Sequence, residues 1–298
     1  AKDIFNEIEN EILTEPALTK PPVNVVAAIT KQEYLKAVEA LKVHIQRGDC
    51  YEINYCQYFS ARDIKLDSIK VYNDLLAVSP NPFAALYKLD DQYCICASPE
   101  RYLKKTGQVL LSQPIKGTQQ RSINNANEDE ERRQYLLNSK KERSENVMVV
   151  DLVRNDLSKV CKEGSVNVEE LFGIYSFPQV HQMISSVTGV LEEGVHWTDA
   201  VKATFPMGSM TGAPKKRVME LIDQYESEAR GLFSGSIGYI TPDADFDFNV
   251  VIRSIFYNET KHNLSFAAGG GITFYSNAEE EYEESLLKAA AIREVLQQ

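Results

Sequence analysis

Residues Ser98–Arg121, SPERYLKKTGQVLLSQPIKGTQQR, carry the pattern that decides the fold. Two runs flank Thr106-Gly107, with Leu103 in the first and Val109 and Leu111 in the second as apolar positions, which predicts a β-hairpin with a tight turn. Each end holds one ionisable side chain in a stiff setting. Glu100 follows a proline. Lys116 stands in Pro-Ile-Lys-Gly, where Pro114 restricts Gln113 to extended geometry and Gly117 frees the backbone behind the lysine. Closing the hairpin brings an acid and an amine toward one pocket.

Upstream of the hairpin, Thr30 and Glu33 form a capping box for a helix bearing Tyr34, Leu35, Val38, Leu41 and Ile45 as far as Gly48. Tyr51, Ile53, Tyr55 and Phe59 then alternate as a strand. A helix over 67–79 stops before Pro80, and strands over 83–89 and 92–97 follow. Downstream, polar residues 122–133 read as a solvated loop or helix start, and a helix over 134–159 has a break near Asn138. Further strands fall at 165–172, 180–191, 233–240, 247–257 and 264–268. The loop FPMGSMTGAP (205–214) opens a helix at Pro214, and a last helix covers 277–296. Residues 1–22 read as a helical lead with a Pro-rich joint, and 23–298 as one catalytic domain. Strands in hairpin order with helices between groups give α+β rather than a doubly wound sheet.

The 298 residues carry a formal charge of -11, which excludes a nucleic-acid binder, since phosphate contacts need basic patches. An anionic substrate would need local cations or a metal on such a chain. No apolar run reaches the roughly 20 residues of a membrane span, and no signal peptide is expected. Five cysteines, an odd count with no C-x-x-C pair, read as reduced thiols of a cytoplasmic protein.

Four glutamates fall at i, i+3 spacing, Glu142 with Glu145 and Glu281 with Glu284. Glu142, Glu145, Val149, Leu152 and Asp156 share a helix face, and Glu281, Glu284 and Lys288 border an apolar arc. Spacing alone fits a solvated face, or a hard cation such as Mg²⁺ held by one or two carboxylates with waters and an anion. Lys116 is either an exposed loop residue or a nucleophile; as a nucleophile it must shed its proton, with desolvation or a nearby cation depressing its pKa. Glu100 is either ion-paired or a general acid whose pKa burial raises. Gly269-Gly270-Gly271 ends a small-residue strand, as a nest of amides for a carboxylate or as a bulge or close crossing. Arg253 lies in the apolar strand VVIRSIF and calls for a carboxylate, from a substrate or the protein. His181 suits a donor to a ligand or a satisfied core histidine. GSMTGAPKK lacks P-loop spacing, which rejects nucleotide binding there.

In order, SPERY, QPIKGT, RSENVMVVDLVRND, FPMGSMTGAPKKRVMELI, SGSIGY, VIRS, AAGGGI and EEEYEESLLKA make the chain resemble the chorismate-utilising enzymes from about Gly48 to its end. That family includes anthranilate, isochorismate and salicylate synthases and aminodeoxychorismate synthase component I. The lysine in PIKGT aligns the chain with the last, para-aminobenzoate-forming branch; anthranilate synthases resemble it elsewhere but carry alanine there. The resemblance implies an α+β fold of two antiparallel sheets packed over a core with helices outside. It implies Mg²⁺ on Glu145 and Glu284, with Glu142 and Glu281 holding its waters. Arg253, the backbone at Gly269, Gly270 and Gly271, and Lys288 would hold carboxylates, with His181 and Thr211 along the ring. It further implies that Lys116 attacks C2 of chorismate while Glu100 protonates the departing C4 hydroxyl. Ammonia from a glutamine amidotransferase subunit then enters at C4 to give 4-amino-4-deoxychorismate. The alternatives are an anthranilate synthase component I and a chorismate-binding subunit without turnover. Longer members carry an N-terminal region that is mostly missing from this sequence, leaving partner docking and regulation open.

Overall fold

In the computed structural model, which describes residues 23–297, the hairpin forms: strands Arg101–Thr106 and Val109–Gln113 pair antiparallel, Thr106 opposite Val109. Gly107, at φ +58°, takes the left-handed turn conformation that a β-carbon disfavours. The inward residues differ from expectation. Alternation back from the turn, with Thr106 opposite Val109 and Lys105 opposite Leu110, puts Leu103 and Leu110 on the core face and leaves Val109 exposed. After Pro114 the chain resumes as strand Ile115–Gln120, and both segments run along Val180–Val190, so Lys116 lies on a broken continuation of the hairpin.

Two antiparallel sheets carry the fold, as the resemblance implies, and each has seven strands. The first runs Val26–Ala27, Glu52–Ala61, Asn263–Thr273, Ser254–Asn258, Gln92–Ser98 and Phe83–Leu89, with Gly212–Ala213 also pairing to Glu52–Ala61. The second runs Gly238–Ile240, Phe246–Asn249, Arg101–Thr106, Val109–Gln113, Val180–Val190 and Ile115–Gln120, with Asn167–Ser176 also on Val180–Val190. A core of Tyr58, Leu103, Leu110, Val149, Leu157, Val187 and Phe246 joins both sheets to helix Lys140–Leu157. On the first sheet, Phe59, Ile95 and Phe266 pack under Leu75 and Ile292 from helices Ser68–Val78 and Ala290–Gln297. Tyr34, Ile53, Tyr55 and Leu221 build a third cluster under helices Lys31–Gln46 and Lys215–Tyr225.

The capping box is present, with the Thr30 amide donating to Glu33 at 2.7 Å and the Glu33 amide to Thr30 Oγ1 at 3.3 Å. The long acidic segment is two helices, Ala126–Asn138 and Lys140–Leu157, because Ser139 caps the second by accepting from the Glu142 amide. The last helix likewise divides into Ala278–Lys288 and Ala290–Gln297. The strand expected over 247–257 splits into Phe246–Asn249 and Ser254–Asn258, and that expected over 233–240 shrinks to Gly238–Ile240. The lead over 1–22 lies outside the described residues.

Arg230 ties these pieces together. Its guanidinium donates to the Met210 and Asn54 carbonyls and pairs with buried Glu226. Arg230→Ala is therefore expected to cost about 3–5 kcal/mol in urea unfolding, since it strands a buried carboxylate.

Candidate active site

The carboxylates and amines singled out above meet where strand Asn263–Thr273 passes under helix Ala278–Lys288 and strand Ile115–Gln120 under helix Lys140–Leu157. The glycines form no nest. They lie inside the strand, Gly269 opposite Cys56, Gly270 opposite Tyr55 and Gly271 opposite Asn54. Their value is space. A β-carbon on Gly270 would lie 3.1 Å from Glu281 Oε2, 3.4 Å from Glu284 Oε1 and 3.5 Å from Lys288 Nζ. One on Gly271 would lie 2.5 Å from Glu52 Oε1 and 2.9 Å from Lys116 Nζ. Adjacent residues on a strand face opposite sides, so the glycine pair lets both clusters close onto one backbone. Gly271→Ala is expected to lower turnover about 100-fold through misplaced side chains, with an unchanged circular-dichroism spectrum.

The Asn54 amide donates to the Thr211 carbonyl and the Cys56 amide to Glu226, both away from the glycine strand. Alternation then turns the Gly269 and Gly271 amides to the other edge. Strand Ser254–Asn258 pairs there only as far as Ser265. The Gly269 carbonyl on that edge accepts from Lys288 Nζ at 2.8 Å, and Lys288 also pairs with Glu284 at 2.7 Å.

Arg253 stands just before Ser254, outside regular strand, at φ +54°. Its guanidinium has no hydrogen bond or ion pair among the described residues. Burial lowers its pKa, and Glu284 partly offsets this. A part-buried fork without a carboxylate, on backbone strained at the break of a strand, suits an anion.

Glu145 is 8% exposed, and its Oε1 has no hydrogen-bond partner. Burial pushes its pKa up to about 7 against the pull of Lys116. Burial also raises Glu142 and Glu281; Glu281 accepts from Ser276 Oγ at 2.7 Å. Burial likewise opposes ionisation of Glu284, but the Lys288 charge and hydrogen bond outweigh it and the net shift is downward. The Lys141 ammonium lies in the field of all four glutamates, 3.7 Å from Glu281. This donor set suits a cation: it has an orphaned buried oxygen and more acid than the nearby lysines offset. Among the described residues no three His, Cys, Asp or Glu side chains are grouped closely enough to hold a metal ion by themselves. Two carboxylates completed by water and substrate oxygens match a small hard cation.

Glu100 is buried beside the hairpin mouth. Burial pushes its pKa up to about 7, although the Ser209 hydroxyl, the Lys116 charge and the Ile115 amide favour its ionised form. The Ile115 amide comes from the lysine's own strand, so the hairpin does join the two ends. Lys116 departs from expectation: burial lowers its pKa, but Glu52, Glu145 and Glu100 outweigh that and hold the proton on. Its ammonium donates directly to Glu52 Oε1.

Two residues are otherwise engaged. His181 has Nδ1 against Ser176 Oγ at 2.8 Å and Nε2 against Asp129 at 3.1 Å. Thr211 Oγ1 donates to the Met207 carbonyl at 3.0 Å. Asp156, predicted on the glutamate face, pairs with Lys159 and Lys215 instead. Glu52 went unnoticed in the sequence. The available signal was Glu52, Asn54 and Gln57 in a strand whose two faces are both buried.

A buried acid, a buried amine, an unpaired guanidinium and an acid-rich cation seat define an enzyme site for a small anionic substrate. The family model for chorismate binding enzymes matches residues 2–294, and this chain belongs to that family. The match begins well before Gly48. Aminodeoxychorismate synthase component 1 of Salmonella typhimurium is 38% identical over 285 residues, covering 94% of this chain and 62% of that protein. The Bacillus subtilis protein of the same name is 38% identical over 300 residues, covering 98% and 63%. The crystal structure of anthranilate synthase component I from Streptococcus pneumoniae superposes with a TM-score of 0.86 at 29% identity, covering 98% of this chain and 64% of that one. The chain thus spans just over six-tenths of the length of these bacterial relatives.

Proposed function

We propose that this chain aminates chorismate at C4, as an aminodeoxychorismate synthase component 1 in para-aminobenzoate and folate synthesis. The observation that carries the reading is Lys116, buried among carboxylates and sharing its pocket with Glu100. The names of the Salmonella and Bacillus relatives support it.

Mg²⁺ would be held by Glu145 and Glu284, with Glu142 and Glu281 holding its waters, and when bound would supply positive charge for the ring carboxylate. Arg253, the Gly269 and Gly271 amides and Lys288 hold and neutralise the substrate carboxylates. His181 and Thr211 shape the wall along the ring through neighbours they hydrogen-bond. Lys116 attacks ring C2 as Glu100, poised near neutral pH, gives its proton to the departing C4 hydroxyl. Ammonia then bonds at C4 and expels the lysine. A glutamine amidotransferase subunit in the cytoplasm would supply the ammonia. No described helix is long and apolar enough to cross a membrane.

Product analysis by mass spectrometry, with chorismate, Mg²⁺ and ammonium, tests this. 4-Amino-4-deoxychorismate is expected. Anthranilate with released pyruvate would favour the other reading, which the Streptococcus structure supports.

Magnesium should also raise the melting temperature, by about 5 °C near pH 8 at saturating concentration. The rise should shrink near pH 5, because Glu145, pushed up to about 7, is protonated there and cannot bind a cation. Equal shifts at both values would contradict the metal assignment.

A further inference from the structure

One contact at the site is unused by the chemistry above. Glu52 opens the central strand Glu52–Ala61 and is 2% exposed. Its Oε1 accepts from the Lys116 ammonium, while its Oε2 is buried without a hydrogen-bond partner. The bare Gly271 backbone leaves room for that pair. Glu145 from its helix and Glu100 from the hairpin also face the amine, and Glu142 and Glu284 feel its charge. Among the described residues, Glu52 is the one carboxylate hydrogen-bonded to it. A carboxylate carried this far inside, with one oxygen orphaned, is held there by the amine.

We propose that Glu52 is the catalytic partner of Lys116, aiming the amine and taking its proton so that the lone pair can attack the ring. This rests on the reading of Lys116 as nucleophile. One proton passes from Nζ to the Glu52 carboxylate oxygen that already accepts the ammonium's hydrogen bond, leaving a neutral amine and a neutral acid. The lone pair forms the Nζ–C2 bond as the two conjugated ring double bonds shift toward C4 and the C4–O bond breaks. The hydroxyl leaves as water with the proton of Glu100. Ammonia then bonds at C4, the two ring double bonds shift back, and the C2–Nζ pair of electrons returns to the lysine. The neutral amine recovers its proton from Glu52, and the new C4 ammonium gives one to Glu100. Both acids and the lysine end as they began, and the sum is chorismate plus ammonia to aminodeoxychorismate plus water.

The test is steady-state kinetics of Glu52→Gln, Glu52→Asp, Lys116→Ala and the Glu52→Gln/Lys116→Ala double variant, with chorismate, Mg²⁺ and ammonium. Glutamine keeps the size and an acceptor oxygen but cannot take the proton. Glu52→Gln should lower kcat about 100-fold or more near pH 7 with KM for chorismate little changed, and recover as pH rises toward the range of a free amine. The double variant should be no slower than Lys116→Ala alone. Parent-like kcat and pH profile in Glu52→Gln overturns the proposal, as does a loss that is equal at every pH or that adds to the loss from Lys116→Ala. Should Glu52→Gln not fold, Glu52→Asp decides: it keeps the acid at shorter reach, so kcat should fall about tenfold with the parent's pH profile, and an unchanged kcat overturns the proposal. A fully active Lys116→Ala removes the lysine reading and this proposal together. An inactive Lys116→Ala beside a parent-like Glu52→Gln removes Glu52 alone.

Discussion

Lys116→Ala is expected to reduce amination of chorismate by at least about three orders of magnitude, about 4 kcal/mol of barrier. The loss should appear in kcat, because in the proposed reaction the amine bonds to the ring, while Arg253, Lys288 and the glycine amides would still hold the carboxylates. Ammonium should not rescue it, since in the proposed reaction ammonia is already the second nucleophile. Stability moves as well. Without the lysine, Glu52 is a buried carboxylate whose hydrogen-bonding cation is gone, which costs about 3–5 kcal/mol. Glu52→Gln on the same background should restore most of that stability and none of the activity. Product formed by Lys116→Ala at the parent rate would remove the covalent step from the account.

The second large effect belongs to Glu145, where activity and stability should move in opposite directions. Burial raises its pKa from the ordinary 4.5 to about 7. The folded state therefore disfavours the ionised form, and without metal this carboxylate destabilises the fold progressively as pH rises from about 4.5 to about 7. Above that window the penalty is about 3 kcal/mol at most. Glu145→Gln removes the charge and should stabilise the metal-free protein near pH 8 by about 1–3 kcal/mol, with little change near pH 4. The same substitution should cut magnesium-dependent turnover about 100-fold and flatten the response to added magnesium. A metal titration matching the parent's, or a loss of stability near pH 8, would count against this role. Glu284→Gln should also weaken the metal response. It should not gain that stability, because the Lys288 pair at 2.7 Å already offsets the charge of Glu284.

What the sequence disclosed follows from the range of the forces involved. The hairpin, the capping box at Thr30 and the Ser139 break are set by residues within a few positions of one another, and such signals are legible in order. The α+β class followed from strand order and the two antiparallel sheets from the resemblance, but the exact register followed from neither. The turn register, with Thr106 opposite Val109, put Leu110 rather than Val109 and Leu111 on the buried face with Leu103, and which face a strand buries depends on what packs against it. Gly269–Gly271 looked like a strand end because small residues carry no packing signal. Their pairing with Asn54–Cys56 comes from residues more than two hundred positions away in sequence. Glu52 was hidden for a related reason. An acid at a strand start reads as exposed until a lysine from another sheet is known to meet it. The sign of the Lys116 shift was equally inaccessible, since it is a contest between burial and three carboxylates from three separate elements. The glutamate pairs and Arg253 were legible as types, while their convergence required the fold.

Peptide-mapping mass spectrometry of the protein incubated with chorismate and magnesium, without any ammonium, tests the central claim most directly. With no second nucleophile to release it, an adduct should accumulate on the peptide containing Lys116, heavier by chorismate less one water, and disappear when ammonium is added. An unmodified Lys116 peptide in protein that goes on to make aminodeoxychorismate, or an adduct on another residue, would contradict the account.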